Sequence, residues 1–432
     1  MKKKQTLKET FAQALQCHKE KKFKEAKILY KKILKIDPNH TVAHNNLGLI
    51  FHELGDCQKA MDSYKKATAI NPNFSAAHNN FGLVLEKLKK HQKAINSYKK
   101  ATQIDPYYSL AHYNLGNVLK KIGKFQEAKN SFEKAIEIKP DLAAAHNNLG
   151  DAFSELGENK KAISCYQKAI QIQPNYSVAY WNLHSFASNV DEALSILKKL
   201  YNIDNQFIKA KIMISALQGF KGNLSDFEVL NTLPESKHPY TRSIKWVFSL
   251  PKLPKIFFNR WNFYDAVVEL TEKSRPFYEF GVWNGISFQH LINTYKKGFG
   301  FDTFTGLPES WNDEEKGTYS SFGIVPKITG GKFIVGKFAD TLPKFFSVKK
   351  PLASLINFDA DLYSSTLCAL NYSRKVIDKK SILIFDEFLM NKNWEQDEYK
   401  ALNEFCDNFN FSYNVLAVSF FSKQVAIKLK KN

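Results

Sequence analysis

Residues 72–105 read PNFSAAHNNFGLVLEKLKKHQKAINSYKKATQID, and residues 106–139 read PYYSLAHYNLGNVLKKIGKFQEAKNSFEKAIEIK. Laid over each other, the two stretches keep Pro, Ala, His, Asn and Gly in step, and the step of 34 residues continues on both sides. It relates Pro38, Pro72, Pro106, Pro140 and Pro174, and likewise Gly48, Gly82, Gly116 and Gly150. Ala26, Ala60, Ala94, Ala128 and Ala162 keep the same step, as do Ala43, Ala77, Ala111, Ala145 and Ala179. Within one unit the apolar spacing is helical: Leu47, Phe51 and Leu54, then Ala60, Tyr64 and Ala67. Gly48 and Ala60 mark where two helices approach closely, and Pro72 ends the second helix. Repeated helix pairs of this kind stack into a solenoid, each burying its apolar face on the next.

This pattern resembles the tetratricopeptide repeat, in about five units from residue 9 to residue 200, the last a degraded closing cap. The expected first domain is therefore an all-α superhelical solenoid over residues 1–200. The first helices of such a solenoid line a concave groove. Two residues before each Gly stand Asn46, Asn80, Asn114 and Asn148, continued by Asn182. A carboxamide ladder can bind the backbone of an extended peptide, and it resembles the Asn ladder of O-linked N-acetylglucosamine transferase. The alternative is that these Asn bridge neighbouring repeats. His44, His78, His112 and His146 also recur, but repeats stacked roughly 10 Å apart hold them too far from one another to share a metal ion. They read as stacking residues.

The 432 residues carry 62 Lys+Arg against 42 Asp+Glu, a net charge of +20. A hydrophobic share of 44% excludes a disordered chain. Residues 1–100 hold 21 lysines and 8 acids, so the excess sits in the first repeats. Arg is missing there, which disfavours bidentate phosphate or base recognition. The doublets Lys31-Lys32, Lys65-Lys66 and Lys99-Lys100 fall on the second helix of each unit and read as a solvated face. Five scattered cysteines form no C-x-x-C pair, which fits reduced thiols in a cytoplasmic protein. The basic start Met1-Lys2-Lys3-Lys4 lacks an apolar stretch behind it, so no signal peptide is expected, and no membrane span is expected elsewhere.

Prolines at 234, 239, 251 and 254 interrupt the helical pattern, and residues 201–258 are expected to be a helical connector. From about residue 275 short apolar runs alternate with helical ones, as in βαβ units around a parallel sheet. The run Phe277–Phe280 leads into Gly281-Val282-Trp283-Asn284-Gly285 and a helix. An acid, Glu279, at the strand end and a G-x-x-x-G turn make a cofactor loop in which glycines admit a close ligand. The next strand ends in Asp302, placed to accept hydrogen bonds from ribose hydroxyls. No phosphate-binding lysine motif is present, so a nucleoside without pyrophosphate fits better than NAD or ATP.

These residues, with Asp359-Ala360-Asp361-Leu362-Tyr363-Ser364-Ser365-Thr366 and Phe385-Asp386-Glu387, resemble class I S-adenosylmethionine-dependent methyltransferases. The D-x-D-L-Y-x-S-T string is similar to the macrocin O-methyltransferase branch, metal-dependent enzymes that methylate sugar hydroxyls. The resemblance covers residues 259–432 and implies an α/β Rossmann-like domain. It places Glu279, Gly281, Asn284, Gly285 and Ser287 around the methionine moiety and Asp302 at the ribose. Phe338 and Ala339 would pack on adenine.

A hydroxyl is a poor nucleophile at neutral pH, and a divalent ion held by carboxylates both orients it and lowers its pKa. Two strands end at Asp359 and at Asp386-Glu387, which in a parallel sheet share one edge. Asp359, Asp386 and Glu387 are thus the expected ligands of Mg²⁺, with Asp359 or Asp361 nearest the transferring proton. The loop Glu309 to Pro326 reads as a lid over the acceptor, and Asn391 to Tyr399 as a further wall. The expected function is O-methylation of a sugar or other hydroxylated small molecule or glycan, with the repeats recruiting a protein or peptide partner or the substrate. The rival is a repeat scaffold whose second domain is a non-catalytic remnant used for assembly as a homo-oligomer. Nucleic-acid methylation is disfavoured, since no Asn-Pro-Pro-Tyr-like motif or Arg cluster is present.

Overall fold

A computed structural model describes residues 6–312 and 314–431. The basic start Met1–Lys4 lies outside the described residues. The chain divides into two compact units, one ending at Phe153 and one beginning at Ser154.

In the first unit helices of 13 and 14 residues alternate: Leu7–Lys19 with Phe23–Ile36, Thr41–Glu53 with Cys57–Ile70, Ser75–Lys87 with His91–Ile104, and Ser109–Lys121 with Phe125–Ile138. The first pair keeps the 34-residue step, with Ala14 standing where later repeats have Gly. Close helix approach explains those glycines. A Cβ built at Gly48, Gly82 or Gly116 would lie 2.5–2.7 Å from the ring of Tyr64, Tyr98 or Phe132. The alanines at the same step are fully buried, small enough to let the ridges interlock. The lysine doublets 31–32, 65–66 and 99–100 are exposed on the second helices.

Of the two polar ladders, the histidines do a job other than stacking, and the asparagines follow the bridging alternative. Ring Nε2 of His44, His78, His112 and His146 bonds the carbonyl of Pro38, Pro72, Pro106 and Pro140 at 2.9–3.0 Å. Each His locks the turn at its own repeat boundary instead of stacking. The asparagines bridge repeats. Asn114 donates to Asn79, Asn79 to Asn80, Asn80 to Asn45, Asn45 to Asn46, and Asn46 to the Tyr30 hydroxyl, at 2.9–3.4 Å. Asn148 donates to Asn117 and Tyr113. Asn46, Asn80 and Asn114 thus take part in an inter-repeat relay, and Asn148 bonds to the preceding repeat, as the bridging alternative expects. Buried amides need partners, and the next repeat offers one. Asn182 lies on helix Ser177–His184 in the other unit.

The second unit opens with helices Asn159–Ile172, Ser177–His184, Val190–Ile203, Ile208–Phe220, Ser225–Thr232 and Pro239–Phe248. Helical pairs thus run past residue 200. Residues 201–258, expected as a helical connector, are largely helical and pack into the core they share with the sheet. One apolar core contains Trp181, Leu197, Ile212, Met213 and Ile244 together with Phe358, Phe385, Phe388 and Phe420 from the sheet side. Rings meet across it: Trp181 and His184 on Phe421, Phe220 on Phe420, Trp246 on Phe388. Among the described residues no helix is long and apolar enough to cross a membrane.

Among the described residues the sheet has eight strands: β1 Lys255–Phe257, β2 Phe277–Phe280, β3 Gly298–Asp302, β4 Gly331–Val335, β5 Leu355–Phe358, β6 Ile382–Phe385, β7 Phe411–Ser419 and β8 Val425–Lys431. Their order is β1-β7-β8-β6-β5-β2-β3-β4. Only β8 runs antiparallel to its neighbours β6 and β7. Strands β2, β5 and β6 are buried at every residue, as a parallel sheet covered on both faces requires. A row of near-parallel phenyl rings, Phe301, Phe280, Phe358 and Phe385, crosses four strands at 4.7–5.4 Å. From β2 the chain adds β3 and β4 on one side, then returns to place β5 and β6 on the other. The strand order therefore reverses between β2 and β5.

Candidate functional site

Ligands of open α/β sheets sit beyond the carboxyl ends of the strands, where the order reverses. Here β2 ends before Gly281, β3 at Asp302, β5 before Asp359 and β6 before Asp386. A cavity of about 360 Å³ opens at that edge, lined by residues of all four strand ends.

The loop after β2 must have glycine first. Gly281 has φ +92°, and a Cβ there would lie 1.8 Å from the Asp359 carbonyl oxygen. No side chain fits between these backbones. Asp302 clamps the loop: Oδ2 accepts from the Val282 and Trp283 amides at 2.8 Å each, and Oδ1 from Phe304 at 2.6 Å. Its expected ribose role is thus at least shared with holding the glycine turn. Gly285, at φ +78°, starts helix Ile286–Tyr295, and the Asn284 Oδ1 accepts from the Ile286 amide.

Of the expected cofactor set, Gly281, Asp302, Phe338 and Ala339 line the cavity, with Trp283, Thr303 and Lys337 beside them. Asn284, Gly285, Ser287 and Glu279 stand outside that lining. Glu279 is fully buried on β2. The Ser287 hydroxyl donates to its Oε1 at 2.6 Å, while Oε2 has no hydrogen-bond partner among the described residues. Burial, reinforced by Asp386, pushes the Glu279 carboxyl up to about 8, against the Ser287 bond.

The opposite wall is acidic. Asp359 and Asp361, the expected catalytic pair, both line the cavity, and Asp361 sits at φ +57°, strained for a non-glycine residue. Burial first, then Asp386 and Asp361, raises the Asp359 carboxyl well above the usual range. Burial, Glu387 and Asp386 do the same to Asp361. Asp386 and Glu387 also reach the cavity, but each is engaged. Arg260 Nη2 lies 3.0 Å from Asp386 Oδ2, and Gln424 donates to Oδ1. Lys423 Nζ lies 2.8 Å from Glu387 Oε2, and Asn391 Nδ2 reaches the same oxygen at 2.7 Å. Behind them Glu398 is fully buried, with Oε2 accepting from the Glu387 amide and Oε1 unpartnered among the described residues.

The expected metal ligands Asp359, Asp386 and Glu387 thus all reach one cavity, but Asp386 and Glu387 are paired with Arg260 and Lys423. Among the described residues no three His, Cys, Asp or Glu side chains stand where they could hold a metal ion. Two of the three carboxylates are bound by cations of the chain itself, so the residues as placed do not fit Mg²⁺. Arg260 and Lys423 escaped the sequence reading because neither belongs to a motif. Arg260 opens helix Arg260–Val268, and Lys423 sits at φ +66° between β7 and β8.

Of the loop 309–326, read as a lid, Tyr319 lines the cavity and meets Trp283 edge-on at 5.6 Å, with Leu307 and Pro308 just before the loop beside it. The stretch Asn391–Tyr399 is not an acceptor wall. Trp394 is buried against Trp246 and Tyr399, and Glu395 pairs with Arg242 at 2.6 Å.

Tetratricopeptide-repeat family models match residues 11–40, 29–62, 48–89, 87–123 and 108–175. The chain thus carries tetratricopeptide repeats over that span. No curated protein matches it. Among solved structures it is similar to MamA, at 27% identity over 38% of this chain and 96% of that one, TM-score 0.36. YrrB, described as a TPR protein with an unusual peptide-binding site, is 20% identical over 42% and 95%, TM-score 0.38. PilF of Pseudomonas aeruginosa is 22% identical over 50% and 96%, TM-score 0.43.

Proposed function

We propose that the cavity is the active site of an S-adenosylmethionine-dependent O-methyltransferase acting on a sugar or other hydroxylated acceptor, and that the repeats recruit a protein partner or the substrate. The observation that carries this reading is the glycine turn at the reversal between β2 and β5. It is clamped by Asp302, backed by the unpartnered oxygen of buried Glu279, and faced by Asp359 and Asp361. The adenosyl end would lie against Phe338 and Ala339, and the methionine end by the Gly281 turn.

Bound there, the cofactor would supply a methyl group on a sulfonium sulfur. The chain's share is positioning and proton transfer. Trp283 and Tyr319 offer aromatic walls that exclude water and take the flat face of a sugar. Asp361 or Asp359, whose carboxyls burial and the neighbouring acids make more basic than usual, takes in its ionised form the proton that the acceptor hydroxyl gives up. No step is assigned to a metal ion, given how Asp386 and Glu387 are held.

Calorimetry with S-adenosylhomocysteine tests the reading. The expected result is micromolar binding by the wild type, weakened at least ~30-fold, about 2 kcal/mol, in Ala339→Trp, which fills the cavity wall. Wild-type protein that binds neither S-adenosylhomocysteine nor S-adenosylmethionine would leave the repeat scaffold as the function.

A further inference from the structure

The carboxylates expected to hold a divalent ion already have cations. We propose that Arg260 and Lys423 are the resident counter-charges of this cluster and occupy the place a divalent ion would take, so that the site binds no such ion.

The geometry points the same way for each acid. Both oxygens of Asp386 are engaged, Oδ2 by Arg260 at 3.0 Å and Oδ1 by Gln424. Glu387 Oε2 receives Lys423 and Asn391, and the same Lys423 Nζ is held by Asn391 Oδ1 at 2.8 Å. A divalent ion needs several oxygens at 2.0–2.6 Å, and a guanidinium or ammonium on the same oxygens repels it.

Neither cation is a loose surface side chain that happened to fold inward. Arg260 is the first residue of its helix, whose Asn259 cap accepts from the Asn262 amide at 2.9 Å. The Asn259 amide in turn donates to the Ser185 carbonyl, and Trp261 donates to the Ser154 carbonyl at 2.6 Å. Arg260 is thus carried by a segment anchored on both sides of its position. Lys423 is delivered by the turn between β7 and β8 in a left-handed conformation that costs about 1 kcal/mol for a residue with a Cβ. Its carbonyl is fixed by the Leu389 amide, and the next residue, Gln424, supplies the second bond to Asp386. One turn therefore serves both carboxylates. The arrangement leaves Asp359 and Asp361 as the carboxyls open to a ligand.

Mn²⁺ titration of the full chain, followed by the electron paramagnetic resonance signal of the free ion, tests this without reference to which group the protein transfers. It therefore fails or stands separately from the methyltransferase reading. The wild type should take up no stoichiometric Mn²⁺ tighter than about 1 mM. In the Arg260→Met/Lys423→Met double variant the vacated carboxylates should gain one site, at least ~10-fold tighter. A stoichiometric wild-type site lost in Asp386→Asn overturns the proposal. So does a double variant that keeps its circular dichroism and gains no site. Should the double variant fail to fold, the single Lys423→Met variant is read the same way, and the wild-type titration stands alone as a test.

Discussion

The two units solve one problem, satisfying buried polar groups, over different distances along the chain. In the repeats the partners lie within the same repeat or the next one. Asn80 reaches Asn45 and Asn114 reaches Asn79, 35 residues back, and each His bonds a proline six residues earlier. In the sheet-bearing unit Arg260 reaches Asp386 over 126 residues and Arg242 reaches Glu395 over 153. Repeats hold together through nearest neighbours, so damage stays local. The sheet edge depends on many distant segments at once, so damage there removes the site.

The sharpest way to break that comparison is Gly281→Ala. A Cβ there collides with backbone, not with a side-chain tip, and φ +92° is unfavourable besides. The expected loss is about 3–5 kcal/mol in urea unfolding, with nucleoside binding abolished. Asn79→Ala should cost less, about 2 kcal/mol, because it strands Asn80 and Asn114 together. Hydrogen exchange should show the loosening confined to helices Thr41–Glu53 to Phe125–Ile138. Spread into the sheet would contradict the nearest-neighbour picture.

Glu279→Gln tests the buried acid by pH. Its folded carboxyl is raised from 4.5 to about 8, so the stability it contributes is present below pH 4.5 and lost as pH rises through 8. The variant should therefore gain on the wild type between pH 5 and pH 8, by on the order of 1–3 kcal/mol in thermal unfolding measured at both ends. The smallest effect belongs to a repeat turn. Positions 21, 55, 89, 123 and 157 share a left-handed φ of 55–78°, filled by Gly three times and by Lys21 and Lys89 otherwise. Lys89→Gly should stabilise by roughly 0.5–1 kcal/mol, read as a shift in the urea midpoint.

Legibility followed the same divide. The 34-residue step announced each helix pair, because Gly against an aromatic ring and Ala on a buried face are demands that recur in every repeat. It left the Asn ladder open between two readings, since bonds between repeats and a peptide groove call for the same residue at the same step. In the second unit the strand ends at Asp302, Asp359 and Asp386 were readable from apolar runs that stop at an acid. The partners of those acids were not. Nothing near Arg260 or Lys423 in the chain signals that a helix start and a hairpin turn deliver them to one pair of carboxylates.

By itself, then, the sequence determined the repeated helices, the glycine turn and the row of acids at the strand ends, since each depends on residues within a few positions of one another. Only the tertiary structure decided what those acids face. Which charge neutralises a buried carboxylate depends on three-dimensional approach, and local sequence spacing carries no record of it.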